Sequence, residues 1–256
     1  MTPDNSRRTL LRGLSVSPFA VTGVGVAPRA ARARAQAAGL IAPNACIQLA
    51  DVAEGPYYID PDMVRPDIAG DRPGVPLEMK LQVVDTDCRP LAGARVDVWH
   101  CDARGVYSEV PGPATVGQDD TRGDSFLRGT QGTDDRGIAT FSTIYPGWYP
   151  GRTPHIHYKV FLDEFTVLTS QIFFPDALSD YLYKSVAPYN ERADTRDTIN
   201  ASDQIAHGAS DGAFAFVREQ TDGYVAALVV GVSRDARPPT GRVTQPVEPA
   251  ALVPAV

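Results

Sequence analysis

Several familiar features are missing from this sequence, and each absence closes a class of function. There is no glycine-rich phosphate loop, no Gly-x-Ser-x-Gly elbow and no Cys-x-x-Cys pair. Nucleotide chemistry, α/β-hydrolase chemistry and structural zinc are set aside in turn. No stretch is long and apolar enough to cross a bilayer, because the uncharged run over residues 14–28 is broken by Pro18, Gly23 and Gly25. There is no internal repeat, and long runs of Ala, Leu, Glu and Lys are scarce, which speaks against a helical bundle. The three cysteines, Cys46, Cys88 and Cys101, are odd in number and irregularly spaced, so they define neither a disulfide framework nor a metal site.

What is present favours strands. The 256 residues are 43% hydrophobic with 22 Pro, 22 Gly and ten Tyr, enough for one core laced with turns. Leu77, Met79, Leu81 and Val83 alternate with Glu78, Lys80 and Gln82, the period of a strand with one buried face. Turn residues over 85–93 lead to a second strand at 94–100, which reads as a hairpin. Further strand signals lie at 138–143, 155–162, 167–174, 214–217 and 224–232, the last two flanking the hairpin marker Asp222-Gly223. Residues 111–132 read as a surface loop, and 176–193 have room for a short helix. The expected fold is all-β, an antiparallel β-sandwich (residues 77–234) preceded by an irregular N-terminal arm (38–76) and followed by a flexible tail (235–256). If Cys88 and Cys101 bracket a simple hairpin, their offset disfavours that pair, and Cys46 with one of the others is the pairing expected.

The N-terminus runs basic, then apolar, then small: Arg7-Arg8-Thr9-Leu10-Leu11 precedes the run ending Ala33-Arg34-Ala35-Gln36-Ala37. That is the layout of a twin-arginine signal over residues 1–37, and it implies export to the periplasm or the exterior. Six Arg and one Asp lie in that segment, so the formal charge moves from −7 to −12 without it. So acidic a body argues against nucleic acid or an anionic membrane as partner and for a small molecule. Self-association into a homo-oligomer is left open.

The densest chemistry is GWYPGRTPHIHYKV, residues 147–160. His155 and His157 are two apart in a strand-like segment, so their side chains share a face and converge, as a transition metal requires. A phenol near pKa 10 gives up its proton only opposite a strong cation, and Fe(III) is hard enough to hold phenolate oxygen.

Six motifs occur in order: Glu54-Gly55-Pro56-Tyr57-Tyr58, Val98-Trp99-His100, Gly105-Val106-Tyr107-Ser108, Pro146-Gly147-Trp148-Tyr149-Pro150, Arg152-Thr153-Pro154-His155-Ile156-His157 and Ser170-Gln171-Ile172-Phe173-Phe174. Over roughly residues 50–175 they resemble the intradiol ring-cleavage dioxygenases, non-haem Fe(III) enzymes. The resemblance implies Tyr107 and Tyr149 as equatorial and axial tyrosinates, and His155 and His157 as equatorial and axial imidazoles, with water or hydroxide in a fifth position. It implies a catalytic base in Tyr149, a charge-stabilising Arg152, an assisting Gln171, and a substrate pocket lined by Pro56 and Tyr57. The reaction implied is cleavage of a catechol-type diol by O2 to a cis,cis-muconate-type diacid. Thr153 and Pro154 depart from the family's Arg-Pro-Ala-His-Ile-His run while keeping its spacing. The short gap from Tyr149 to His155 and the lack of a long helical N-terminal segment look more like a small, exported, protocatechuate-dioxygenase-like subgroup. His100 and His207 read as structural or exposed. Two other readings stay open here: a lapsed transthyretin-like or carbohydrate-binding module, and a His-x-His zinc or copper enzyme.

Overall fold

A computed structural model describes residues 39–42, 47–60, 63–110, 120–162, 166–192 and 194–236. The expected signal segment, Cys46, and the tail from residue 237 lie outside the described residues. Eight strands form two four-stranded sheets. The first, in the order β4-β1-β8-β7, is built from β1 (Pro76–Val84), β4 (Ile138–Ile144), β7 (Phe216–Gln220) and β8 (Gly223–Gly231). The second, in the order β3-β2-β5-β6, holds β2 (Arg95–Trp99), β3 (Arg128–Gly132), β5 (His155–Phe161) and β6 (Thr166–Phe173). Helices α1 (Asp176–Ser185) and α2 (Gln204–Gly208) follow β6.

Alternation in the strands builds the core. Leu77, Met79, Leu81 and Val83 of β1 meet Val96, Val98, Ile156, Tyr158, Val160 and Ile172 of the second sheet in one buried cluster. Burying such side chains contributes about 1.5–3 kcal/mol each, which makes this layer the main source of stability.

Two expectations need correction. Strands β1 and β2 do not form a hairpin; they lie in different sheets. Both edges of β1 are taken, by β4 and by β8, so the apolar face of β2 packs across the core instead of beside β1. Strand β8 joins β1 in parallel, whereas the other pairs of neighbouring strands among the described residues are antiparallel. Within the stretch read as a loop, residues 128–132 form β3. Its sequence RGTQG carries no strand signal, and Gly129 is needed because a Cβ there would lie 2.6 Å from Ile68 Cγ2, where the arm crosses. The hairpin at Asp222-Gly223 forms between β7 and β8 as the turn marker implied.

The arm is irregular and clasps both sheets. Leu40 and Ala42 pack with Val84, Ala227 and Val229 on the first sheet. Residues 51–60 and 63–65 then lie over the outer face of the second sheet as a strap. In turn they meet β6 (Val52 N to Thr169 O, 3.0 Å), β5 (Glu54 with Lys159, 2.6 Å), β2 (Tyr58 Oη to Asp97, 3.0 Å; Arg95 with Asp60, 2.7 Å) and β3 (Arg65 N to Thr130 O, 3.2 Å). Arg95 and Asp97 are themselves paired at 2.8 Å with both side chains fully buried. Two charges so enclosed persist only because each is matched.

Candidate metal centre

Under the strap, the outer face of β5 presents His155, His157 and Lys159, all 2% exposed or less. Strand register sets the neighbours: His157 stands opposite Trp99 of β2 on one side and Gln171 of β6 on the other. The Trp99 indole stacks on the His157 imidazole at 4.8 Å and 11°.

The two tyrosines come from separate loops that must approach closely. Gly147 N donates to Asp102 O at 3.1 Å, and a Cβ on Gly147 would lie 2.3 Å from that same oxygen. Gly105, at φ +86, tolerates no Cβ either, since it would stand 2.3 Å from Trp148 O. These two glycines let the turn carrying Tyr107 and the loop carrying Tyr149 share backbone contacts. Asp102 Oδ1 accepts from Arg104 N and Val106 N at 2.9 and 3.0 Å, and Thr121 Oγ1 donates to Tyr107 O at 2.7 Å, fixing the Tyr107 turn.

The donor atoms converge. Tyr149 Oη is 3.0 Å from His155 Nε2, which is 3.0 Å from His157 Nε2. The Tyr107 ring lies 5.8 Å from that of Tyr149 and 6.2 Å from that of His157, centroid to centroid. His155 Nδ1 pairs with Thr153 O at 2.7 Å; a carbonyl only accepts, so the proton sits on Nδ1 and the Nε2 lone pair faces the cluster. Burial, then the Arg152 cation, lowers the pKa of His155 to about 3, and burial, then the neighbouring His155, lowers that of His157 well below the usual imidazole value, so both rings are neutral at ordinary pH.

Burial likewise raises Tyr107 and Tyr149 above the usual phenol value, with Arg152 opposing the rise at Tyr149. Tyr107 Oη is buried with only the Tyr149 hydroxyl interacting with it and no well-formed hydrogen bond among the described residues; His157 Nδ1 has none there either. A buried phenol so poorly bonded, beside two neutral imidazoles, is a costly arrangement unless a cation binds the imidazole lone pairs and displaces the phenol proton. Two ligand atoms about 2.1 Å from one ion at right angles stand about 3.0 Å apart, the Nε2–Nε2 spacing found here. The donor set therefore fits a metal ion hard enough to hold phenolate oxygen.

Arg152 Nη1 is 3.5 Å from Tyr149 Oη and 3.4 Å from His155 Nε2, while Nη2 bonds Gln171 Oε1. Gln171 is fully buried, and its Nε2 donates to Ala53 O of the strap at 2.9 Å. The Tyr57 ring stacks on Tyr107 at 4.3 Å and 21° and stands edge-on to Tyr149 at 6.5 Å. Pro56 is exposed at the turn before it and makes no such contact. His100 lies apart from the cluster, buried and bonded to Thr143 Oγ1 at 2.7 Å, and His207 is exposed. A hollow of about 610 Å³ lined by Glu78, Ser142, Arg218 and Tyr224 among others belongs to the first sheet and is open to solvent.

Sequence reasoning gave no role to Trp99, Arg128 or Asp203. Arg128 is buried behind Tyr107, with Nε and Nη2 on Ser108 Oγ and O at 2.8 Å each and Nη1 on Tyr57 O at 2.6 Å. Burial lowers its pKa to about 10, which leaves it a cation near the phenol. Asp203 carried only the generic signal of a helix cap.

Residues 53–204 match a family model described as "Dioxygenase". An intradiol ring-cleavage dioxygenase from Tetranychus urticae superposes with a TM-score of 0.68 at 34% identity, over 75% of this chain and 97% of that one. The chain belongs to the intradiol ring-cleavage dioxygenases. Within that family it is 29% identical over 173 residues to a catechol 1,2-dioxygenase of Candida albicans, covering 56% of this chain and 54% of the relative. It is 32% identical over 143 residues to a hydroxyquinol 1,2-dioxygenase of a Rhizobium species, covering 48% of this chain and 46% of the relative. The chain thus spans about half the length of the curated relatives it matches.

Proposed function

We propose that this chain is a non-haem Fe(III) dioxygenase that opens the ring of a catechol-type diol between its two hydroxylated carbons. Both atoms of O2 enter the product, a cis,cis-muconate-type dicarboxylate. The observation that carries this reading is the meeting of Tyr149 Oη, His155 Nε2 and His157 Nε2 at 3.0 Å spacing beside the buried Tyr107 hydroxyl, which interacts with that of Tyr149. Tyr107, Tyr149, His155 and His157 would hold the ion, which would bind the diol as its dianion and leave the ring electron-rich toward O2. Two phenolates and two neutral imidazoles leave a trivalent ion at net +1, matched to a dianionic ligand.

The protein supplies the rest. Tyr149 Oη takes a proton from an incoming hydroxyl; it is the less enclosed of the two phenols. Arg152 Nη1 faces the same space, where its fixed cation stabilises negative charge developing on the attacked ring. Gln171 holds the other end of that guanidinium. Tyr57, lying on Tyr107, keeps water from the mouth and offers a flat face to an aromatic guest.

Aerobic incubation of the purified protein with a panel of catechols, with iron measured on the same sample, tests the reading. One O2 consumed per ring-opened diacid, together with a reddish tyrosinate-to-iron absorption that shifts on adding catechol, is the expected result. Iron-loaded protein that opens none of these rings would refute it. We extend the proposal to twin-arginine export of residues 1–37, for which lysines at positions 7 and 8 should retain the protein in the cytoplasm; normal secretion of that variant would count against it.

A further inference from the structure

Asp203 is 1% exposed, and both of its oxygens are engaged. Oδ1 accepts from Ile205 N at 2.8 Å and Ala206 N at 3.1 Å, capping α2. Oδ2 accepts from Arg152 Nε and from Thr153 N, each at 2.8 Å, across 50 or more residues of sequence. A helix cap needs only one oxygen, and serine would serve. Burying a full carboxylate is expensive, so the second oxygen needs a reason.

That reason lies in the guanidinium. With Nε held by Asp203 and Nη2 by Gln171, two of its three nitrogens are fixed, and a planar fork has no freedom left for the third. Nη1 is thereby aimed at Tyr149 Oη and His155 Nε2. The same carboxylate oxygen anchors Thr153 N, and Thr153 O in turn orients the His155 ring at Nδ1. The segment around Asp203 reinforces the grip: Thr153 Oγ1 bonds Asn200 Oδ1 at 2.8 Å, and Gly151 N bonds Asp197 Oδ1 at 3.1 Å.

We propose that Asp203 is a positioning residue for ring cleavage, holding Arg152 so that Nη1 meets the reacting face of the bound diol. This rests on the dioxygenase reading above. The Asp203 side chain touches neither the diol nor the ion; it acts through Arg152.

The test is a double-mutant cycle on the iron-loaded full chain with catechol as substrate, using Asp203→Asn, Arg152→Ala and the double variant. Asp203→Asn should lower kcat about 10- to 100-fold. It should leave KM, iron content and anaerobic catechol binding nearly unchanged, and should cost nothing further in the Arg152→Ala background. Asp203→Ser, which can still cap α2 but no longer holds Thr153 N, should lose at least as much kcat as Asp203→Asn. Full activity in Asp203→Asn, equal losses in both Arg152 backgrounds, loss of iron, or unfolding of both Asp203 variants would make the residue merely structural and overturn the proposal. The dioxygenase reading would survive each of those results. A wild type that binds iron and opens no ring would remove that reading, and this proposal with it.

Discussion

Strand β5 carries two chemistries one residue apart. Ile156, Tyr158 and Val160 face the sandwich core, while His155, His157 and Lys159 face the strap, yet all six are 2% exposed or less. The difference lies in the cover. A second sheet of apolar side chains lies over the first group. A single irregular segment lies over the other and brings Glu54 to Lys159, Ala53 O to Gln171 and Tyr57 to Tyr107. The facing sheet buries mainly hydrocarbon; an irregular strap can supply charges and carbonyls one at a time, so polar side chains can be dry without being unpaired. Where that pairing fails, at Tyr107 Oη, lies the space that the proposed ion would take.

The sharpest way to break this comparison is to mutate adjacent residues of β5. His157→Ala should abolish iron binding and lower turnover by about 10³-fold or more, read by metal analysis and O2 uptake. Ile156→Ala should keep its iron while losing about 2–5 kcal/mol of stability in urea. Iron loss of equal extent in both would mean that the faces are not functionally separate.

Next in size is Asp97→Ala, which leaves the wholly buried Arg95 with Asp60 alone; a destabilisation of about 3–5 kcal/mol is expected from urea titration. Glu54→Gln loosens one strap anchor. It should cost about 2 kcal/mol, raise KM for catechol and hasten proteolysis within residues 51–60, whereas a change at exposed Glu219 should do none of these.

The smallest effect belongs to the inner face, where His100 reaches Thr143 of the opposite sheet. Burial lowers its pKa from 6.5 to about 4, so the folded state keeps it neutral while the unfolded chain takes up a proton first. Its contribution to stability is therefore present above pH 6.5 and is lost as pH falls toward 4. A loss of roughly 1.5 kcal/mol between pH 6.5 and pH 5 follows, and His100→Gln should flatten that part of the urea midpoint profile.

Local pattern exposed β1, β4, β5, β6 and the β7–β8 hairpin: alternation recorded the one buried face at the start of β1, and short apolar, β-branched runs bounded by turns recorded the others. It missed β3, whose Arg128-Gly129-Thr130-Gln131-Gly132 sequence becomes a strand only because β2 offers it a ladder. It also joined β1 to β2, because turn residues announce a reversal but not the layer into which the chain returns. The disulfide at Cys88 and the buried free thiol of Cys101 bear out the expectation that those two do not pair with each other. In the site, His-x-His was legible because spacing two on a strand dictates a common face, whereas the two tyrosines were assigned only through the resemblance of their motifs to the family. Asp203 was not legible, because its partner Arg152 lies 51 residues away.

The sequence by itself determined local matters: which residues alternate, where the chain turns, and which imidazoles share a face, since each follows from backbone geometry over a few residues. Tertiary structure decided which distant strands pair, how the arm crosses the second sheet, and which carboxylate grips Arg152. Those outcomes depend on which edges and buried charges remain unmatched once the sheets have packed, and no short stretch of chain contains that information.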